Sequence, residues 1–347
     1  MIHGLILGKF YPPHKGHLHL IKEAKKKCDV LTVLMCSLEK ELIPGNLRYE
    51  WMLELLPNPN IEIVWVKDEN PQYPEEHPNF WQIWKQTINS HTNQQIDIVF
   101  TSELYGDQLA SVLGCQHIPI DIDRKVVPIS GTQIREKPIQ FFEWIPEPIR
   151  PYFVKRIVLT GSESVGKTTL AKKLADHFQT NWIPEYARDY LEKKSTPMAE
   201  SDFLPIAKGH LLSEVEAAKS SHGILFLDTD LLTTKVYLER YYQREIPWLT
   251  ERALGLQYDT SLFLDIDIPW EKDKLRDLGE EREGMKTRFL EAMEEAKRDF
   301  FWVKGNFMER ERLAIDYVNQ IKEGPMNPVA FTKEQTLLRT IGSDPMA

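Results

Sequence analysis

The 347-residue sequence predicts an α/β protein made of two parallel-sheet domains in tandem. Three observations lead there. The grammar of "HGLILGKFYPPHKGHLHLIKEAKKK", an apolar strand turning through a glycine-bearing loop into a helix, recurs in "KRIVLTGSESVGKTTLAKKLADHF". Each copy is followed by β-rich runs alternating with helical patterns, the arrangement that crossover units produce. Between the copies, "EWIPEPIRPYF" (143–153) carries three prolines, which remove backbone donors and disfavour helix at the residues before them. The predicted domains are therefore 1–146 and 152–323. The tail, 324–347, has little apolar pattern before "TLLRTI" and is expected to be loosely held or disordered.

In the first half, "HGLIL" is the opening strand and its helix begins near Gly16. "DVLTVLMCS", "IEIVWV" and "IDIVFTS" are short unbroken apolar runs, as buried strands require, while "NLRYEWMLELL" and "FWQIWKQTINS" follow helical spacing. The alternation predicts a doubly wound sheet. In the second half, "RIVLT" leads into the helix "TLAKKLADHF", "WIPEYARDYL" contains a second strand, "GILFLDTDLLTTKVYLERYY" is a strand and helix, and "SLFLDIDIPW" is a strand ending in acidic residues.

Composition narrows the function classes. The formal net charge is −9, whereas a chain that clamps nucleic acid normally offers a basic surface. The one dense basic run, "KEAKKK" (22–27), reads as a solvated helix face. Cys28, Cys36 and Cys115 are odd in number and not spaced as C-x-x-C, which predicts free thiols in a reducing compartment. No apolar stretch is long enough to span a bilayer and no basic leader precedes "GLIL". A cytoplasmic protein without membrane insertion or a DNA partner is expected.

"GSESVGKT" satisfies G-x-x-x-x-G-K-[ST] between a strand and a helix. Gly161 and Gly166, with Ser162, Glu163, Ser164 and Val165 between them, let backbone N–H groups close around phosphate oxygens, and Thr169 opens the helix whose N-terminus adds partial positive charge. Lys167 is placed to reach the outer phosphates and Thr168 to hold Mg²⁺. A hydroxyl acceptor keeps its proton at neutral pH, so a kinase acting on one benefits from a carboxylate base. Glu185 and Asp228, at predicted strand ends, are the candidates; Asp228 is also the second candidate magnesium ligand, and Arg188 stands close by. In "KDKLRDLGEEREGMKTRF", Arg276, Arg282 and Arg288 fit either a lid over a triphosphate or a solvated helix.

His14, His17 and His19 fall within six positions, where the first strand turns into its helix. A metal site needs three or four converging ligands, and this cluster offers two on one face. A phosphate site explains more: the helix start aims N–H groups at an anion, Gly16 admits it, and the imidazoles of His14 and His17 donate hydrogen bonds and gain charge as negative charge accumulates.

His14-x-Gly16-His17 resembles the HxGH signature of the nucleotidyltransferase superfamily, and "ISGTQIRE" (129–136) resembles its second signature, ISxTxxR. With "GKFYPPHKGH", "FTSELYGDQLA" and the fused P-loop domain, the chain is similar to the family that joins nicotinamide mononucleotide adenylyltransferase to ribosylnicotinamide kinase. The resemblance implies a Rossmann-like nucleotidyltransferase domain followed by a P-loop kinase domain. It also implies ATP as co-substrate, Mg²⁺, and nicotinamide riboside, nicotinamide mononucleotide and NAD as ligands. His14 and His17 would bind the ATP phosphates, with Gly8, Lys9, Phe10 and Tyr11 beside them. Ser130, Thr132 and Arg135 would hold the outer phosphates at another helix start, and Arg48 would lie near the nucleotide. Trp81 and Trp84 fit ring stacking on nicotinamide or core packing equally. Some members carry an N-terminal helix-turn-helix; here a strand starting near Ile2 leaves no room for one, and a repressor role is not expected. Another phosphorylated acceptor, a nucleotide-sensing regulator with one inactive site, and a homo-oligomer all stay open at this stage.

Overall fold

A computed structural model of the protein describes residues 1–92, 94–271 and 281–323. Arg276 and the tail from Gly324 lie outside the described residues. The chain divides into two compact units between Ile149 and Arg150.

The first unit alternates strand and helix: β1 (His3–Gly8), α1 (Lys15–Lys25), β2 (Val30–Cys36), α2 (Gly45–Leu55), β3 (Ile61–Val66), α3 (Phe80–His91), β4 (Ile98–Thr101), α4 (Gly106–Leu113), β5 (Gln116–Pro119) and α5 (Gly131–Glu136). All pairings are parallel, in the order β3-β2-β1-β4-β5. Successive strand residues point to opposite faces, and both faces are buried. Ile6, Val33 and Met35 pack against Leu20, Ile21 and Ala24 of α1, whereas Leu5, Leu34 and Cys36 pack against Trp84 and Ile88 of α3. That double coverage explains why these strands read as continuous apolar runs. Because β2 and β4 flank β1, the order reverses beside β1, and the crevice for a ligand opens at the carboxyl ends of β1 and β4.

The second unit contains α6 (Arg150–Phe153), β6 (Lys155–Thr160), α7 (Lys167–Phe178), β7 (Asn181–Ile183), α8 (Tyr186–Glu192), α9 (Phe203–Ser220), β8 (Ile224–Asp228), α10 (Leu231–Tyr242), α11 (Pro247–Gly255), β9 (Thr260–Leu264), α12 (Arg282–Glu295), β10 (Phe300–Val303) and α13 (Phe307–Ile321). Its parallel sheet is ordered β10-β9-β6-β8-β7. β6 is buried along its whole length, including two charged residues: Lys155 Nζ donates to the Ile321 carbonyl at 2.6 Å, and Arg156 forms an ion pair with Glu214, Nε to carboxylate oxygen 2.8 Å. The carboxyl ends of β6, β8 and β7 lie side by side, so the loop after Thr160, Asp228, and Glu185 just beyond β7 share one edge. Among the described residues no helix is long and apolar enough to cross a membrane.

Candidate active sites

In the first unit, β1 runs into Lys9–Pro13 and then into α1, whose N-cap is His14 in extended conformation. His14 Nδ1 accepts the backbone N–H of Gly16 at 3.1 Å and of His17 at 3.4 Å, while His17 Nδ1 accepts the N–H of His14 at 3.2 Å. This is a reciprocal capping box made of imidazoles. The rings stack with centroids 3.7 Å apart. Since each Nδ1 is an acceptor, each ring keeps its proton on Nε2, which is the free donor. Burial, with help from the nearby Arg124 charge, lowers the His14 pKa to about 3. Burial, His14 and Arg124 push His17 well below its ordinary value. Both imidazoles are therefore neutral at physiological pH.

Two expectations change here. The N–H groups of Gly16 and His17 are occupied by His14, so they are not free to bind an anion in this conformation. Gly16 has a different reason to lack a side chain: a Cβ there would lie 2.9 Å from the His14 ring. Likewise, the imidazoles act as fixed neutral donors and do not start out poised to take up charge.

The second signature is brought onto the first. Arg135 donates to the Tyr11 carbonyl and, at 3.0 Å, to Thr132 Oγ1, and its guanidinium sits 4.2 Å over the Tyr11 ring. A Cβ on Gly131 would fall 2.5 Å from that same Tyr11 carbonyl. Ser130 caps α5 through its hydroxyl, which accepts from Gln133 N at 3.2 Å and donates to Gln133 Oε1 at 2.9 Å, so in this conformation the side chain is engaged by the helix. Arg48 lies against the same loop. It is fully buried, donates to the Lys9 carbonyl at 2.6 Å and pairs with Glu41, which also holds Lys9 Nζ at 3.1 Å. Arg48 supports the loop from beneath, since an unpaired guanidinium there would be costly. Phe10 is buried beside Gly8 with φ +47°, a conformation that the packed ring holds in place. Trp84 is a core residue whose Nε1 donates to the Pro71 carbonyl at 3.0 Å, and Trp81 packs edge-on to Phe80 against the same cluster.

In the second unit, the loop between β6 and α7 takes positive φ at Gly161 (+135°), Ser164 (+57°) and Gly166 (+86°). At Gly161 a side chain is also barred by space, because a Cβ would lie 2.6 Å from the Leu264 carbonyl. Lys167 Nζ folds over its own loop, donating to the carbonyls of Gly161 at 2.9 Å and Ser162 at 2.8 Å. Thr168 Oγ1 donates to Asp228 Oδ2 at 2.5 Å. Asp228 is 1% exposed, its Oδ1 meets no partner among the described residues, and its pKa is raised by burial. Glu185 is raised too, first by burial and then by the Asp228 charge, with Lys167 opposing.

A cavity of about 320 Å³ opens against this edge. Glu163, Ser164, Val165, Gly166, Lys167, Thr168, Thr169, Glu185 and Arg188 line it. Ser162 is buried behind them, its hydroxyl donating to the Arg282 carbonyl at 3.0 Å. Arg282 donates to the carbonyls of Ile268 (3.0 Å) and Ser164 (3.4 Å), so it braces the loop from the start of α12. Arg288 is exposed on α12 and lines a separate surface depression with Arg240 and Arg244, apart from this cavity. Asp230 caps α10 and pairs with the buried Arg298.

Residues 5–137 match the cytidylyltransferase-like family and residues 156–310 the AAA domain family. The chain is 32% identical over 326 residues to the trifunctional NAD biosynthesis/regulator protein NadR of Escherichia coli K12, covering 87% of this chain and 78% of that protein. The Salmonella typhimurium NadR is 31% identical over the same shares. The chain belongs to the NadR family. A crystal structure of NadR protein in complex with NR is 21% identical, with a TM-score of 0.79 over 94% of this chain and 97% of that one. A second, in complex with NAD and AMP-PNP, has a TM-score of 0.74 at 22% identity and the same coverage. Both share the fold.

In this NadR family member, several residues at the sites had no sequence signal. Arg124 lies in the 121–127 turn, which the Asp121 carboxylate organises by accepting the N–H groups of Val126 and Val127 at 3.0 Å each. It donates to the Ile129 carbonyl at 2.8 Å, just before α5. Arg310 of α13 is 2% exposed and reaches the Val165 carbonyl inside the phosphate loop, the Asp265 carbonyl at 2.8 Å and the Asp267 carboxylate. Tyr186, His210 and Tyr237 form further parts of the cavity wall. Only contacts between distant segments reveal these residues.

Proposed function

We propose that the chain is a cytoplasmic, bifunctional NAD-forming enzyme. The second unit phosphorylates nicotinamide riboside with ATP, and the first adenylylates the resulting mononucleotide to NAD with release of pyrophosphate. The observation that carries this reading is the division of chemistry between the two strand edges: imidazoles and cations without a carboxylate base in one, a phosphate loop with two buried carboxylates in the other. Membership of the NadR family supports it, as does the likeness in fold to proteins crystallised with NR, NAD and AMP-PNP.

In the adenylylation, the attacking group is a phosphate that is ionised at pH 7, so no general base is needed and catalysis rests on alignment and charge stabilisation. The Nε2–H donors of His14 and His17 are aimed by their capping bonds at oxygens of the ATP phosphates. Lys9, Arg124 and Arg135 supply the charge that neutral histidines do not. In the phosphorylation, the 5′-hydroxyl attacks the γ-phosphorus of ATP and must lose a proton. Glu185 accepts it: it faces the cavity, and its raised pKa brings it closer to the working pH than an ordinary glutamate. Lys167 exchanges its loop carbonyls for the outer phosphates. Magnesium fits this site, because the Thr168 hydroxyl and the Asp228 carboxylate, with Oδ1 unengaged, are the hard oxygen ligands it takes alongside phosphates. When bound it would neutralise negative charge on the phosphates.

The test is product analysis after incubation with nicotinamide riboside, ATP and Mg²⁺. NAD, ADP and pyrophosphate are expected in one tube. Accumulation of the mononucleotide alone would refute the adenylylation, and absence of any product from either the riboside or the mononucleotide would refute both assignments.

A further inference from the structure

One polar side chain in the cavity of the second unit has no task in the mechanism above. Phe203, Ile206 and His210 form a stripe on α9 that lines the cavity, apolar except for the histidine. His210 is 3% exposed, and its Nε2 meets no hydrogen-bond partner among the described residues. A buried, unsatisfied imidazole nitrogen costs free energy that an aliphatic residue at the same position would avoid. The backbone around it is shaped for the same space: a Cβ on the preceding Gly209 would fall 2.1 Å from the Tyr186 ring, so Gly209 lets that tyrosine lie against α9 as part of the cavity wall. Burial holds the His210 pKa below the ordinary value against the pull of Glu214 and Asp230, which keeps the ring uncharged.

We infer that His210 determines acceptor specificity by hydrogen-bonding an uncharged polar group of the riboside, either a ribose hydroxyl or the amide on the ring. The inference rests on the proposal that this cavity takes the acceptor. A site built to hydrogen-bond one group rejects analogues that lack it, because its own polar atom is then left unpaired. An uncharged imidazole suits a substrate whose ring is cationic, since a protonated one would repel it.

The experiment measures kinase KM values on the full chain with Mg²⁺ and ATP. It compares wild type, His210→Phe and His210→Gln on nicotinamide riboside, its 2′,3′-dideoxy analogue and the analogue lacking the ring amide. His210→Phe is expected to raise the riboside KM about tenfold while the ATP KM stays unchanged, in line with the loss of one buried hydrogen bond. His210→Gln, which still hydrogen-bonds, falls between. The analogue lacking the bonded group is handled alike by wild type and His210→Phe, and its identity tells which group His210 meets. A riboside KM within twofold of wild type in His210→Phe, or an equal loss on all three substrates, would overturn the inference. If His210→Phe shows no cooperative thermal unfolding and so does not fold, His210→Gln decides: a raised KM confined to substrates carrying one of the two groups supports the inference, and an unchanged KM overturns it. Failure of wild type to phosphorylate the riboside at all would remove the underlying proposal, a result distinct from turnover that ignores His210.

Discussion

At His14 one nitrogen does two things: by accepting two backbone N–H groups it starts α1, and by being an acceptor it leaves the ring proton on Nε2. Stability and site chemistry are thereby tied to the same neutral ring. In the unfolded chain His14 titrates near the ordinary imidazole value of 6.5, whereas burial in the folded protein lowers it to about 3. Between these values the unfolded state binds a proton that the folded state does not, so stability must fall as the pH drops through this window. Each pH unit crossed costs at most about 1.4 kcal/mol from this group, and His17, shifted the same way, adds in the same direction. His14→Asn keeps a capping side chain but cannot titrate, so its urea midpoint should depend less on pH between 6.5 and 5 than that of wild type. Parallel pH profiles for the two proteins would show that the His14 ring is already protonated in the folded state.

At the level of elements, the first site exists because α5 is docked on the loop before α1. Gly131 is the contact that sets the spacing. The obstructing atom is a backbone carbonyl, that of Tyr11, so an added methyl cannot be accommodated by a side-chain rotation. Gly131→Ala should therefore shift α5 and Arg135 relative to His14 and His17, lowering adenylyl transfer by up to about 10²-fold, as ångström-scale misplacement does. Kinase turnover of the same preparation should stay at the wild-type level. Retention of adenylyl transfer would mean that α5 does not set the geometry of the histidine site. The corresponding brace in the second unit is Arg310. Arg310→Met leaves the Val165 and Asp265 carbonyls without their donor and the Asp267 carboxylate without its cation, and should cost on the order of 3 kcal/mol of stability as well as most kinase turnover, as read by thermal denaturation and ADP release. These elements differ in how readable they are. β1 to β4, β6 and β8 are legible as apolar runs because helices cover both their faces, and the glycine motifs are legible because backbone φ and phosphate approach constrain a contiguous stretch. β5, "QHIP", is a short, partly exposed edge strand containing proline, and β10, "FFWV", spans only four residues; neither offers a periodicity to detect. Arg48 and Arg310 were illegible as buried supports because most of their partners are backbone carbonyls, which any sequence possesses. Ser130 and Gly16 match a phosphate-binding motif in spelling, but in the folded chain they first serve a helix cap and a stacked ring.

For the whole molecule, the division of labour makes a reciprocal prediction. The two sheets are separate, each with its own core, and the residues proposed for each reaction come from one unit alone. Lys167 lies in the second unit and anchors on its own loop carbonyls, so Lys167→Ala removes a phosphate ligand together with the charge that offsets the buried Glu185 and Asp228 carboxylates, all of them in that unit. Kinase kcat should fall by about 10²-fold or more, the scale for loss of a group that stabilises transferring charge, with adenylyl transfer from supplied mononucleotide unchanged. His17→Ala should do the reverse. It deletes an Nε2–H donor and half of the capping box, so adenylyl transfer should fall by a similar factor, while riboside phosphorylation continues and the mononucleotide accumulates. The two variants mixed in one tube should then form NAD from riboside, ATP and Mg²⁺, because the mononucleotide released by one can be consumed by the other. If the mixture fails although each variant retains its single activity, the intermediate must pass between sites of one chain without release. If either substitution removes both activities from a folded protein, the assignment of one reaction to each unit is wrong.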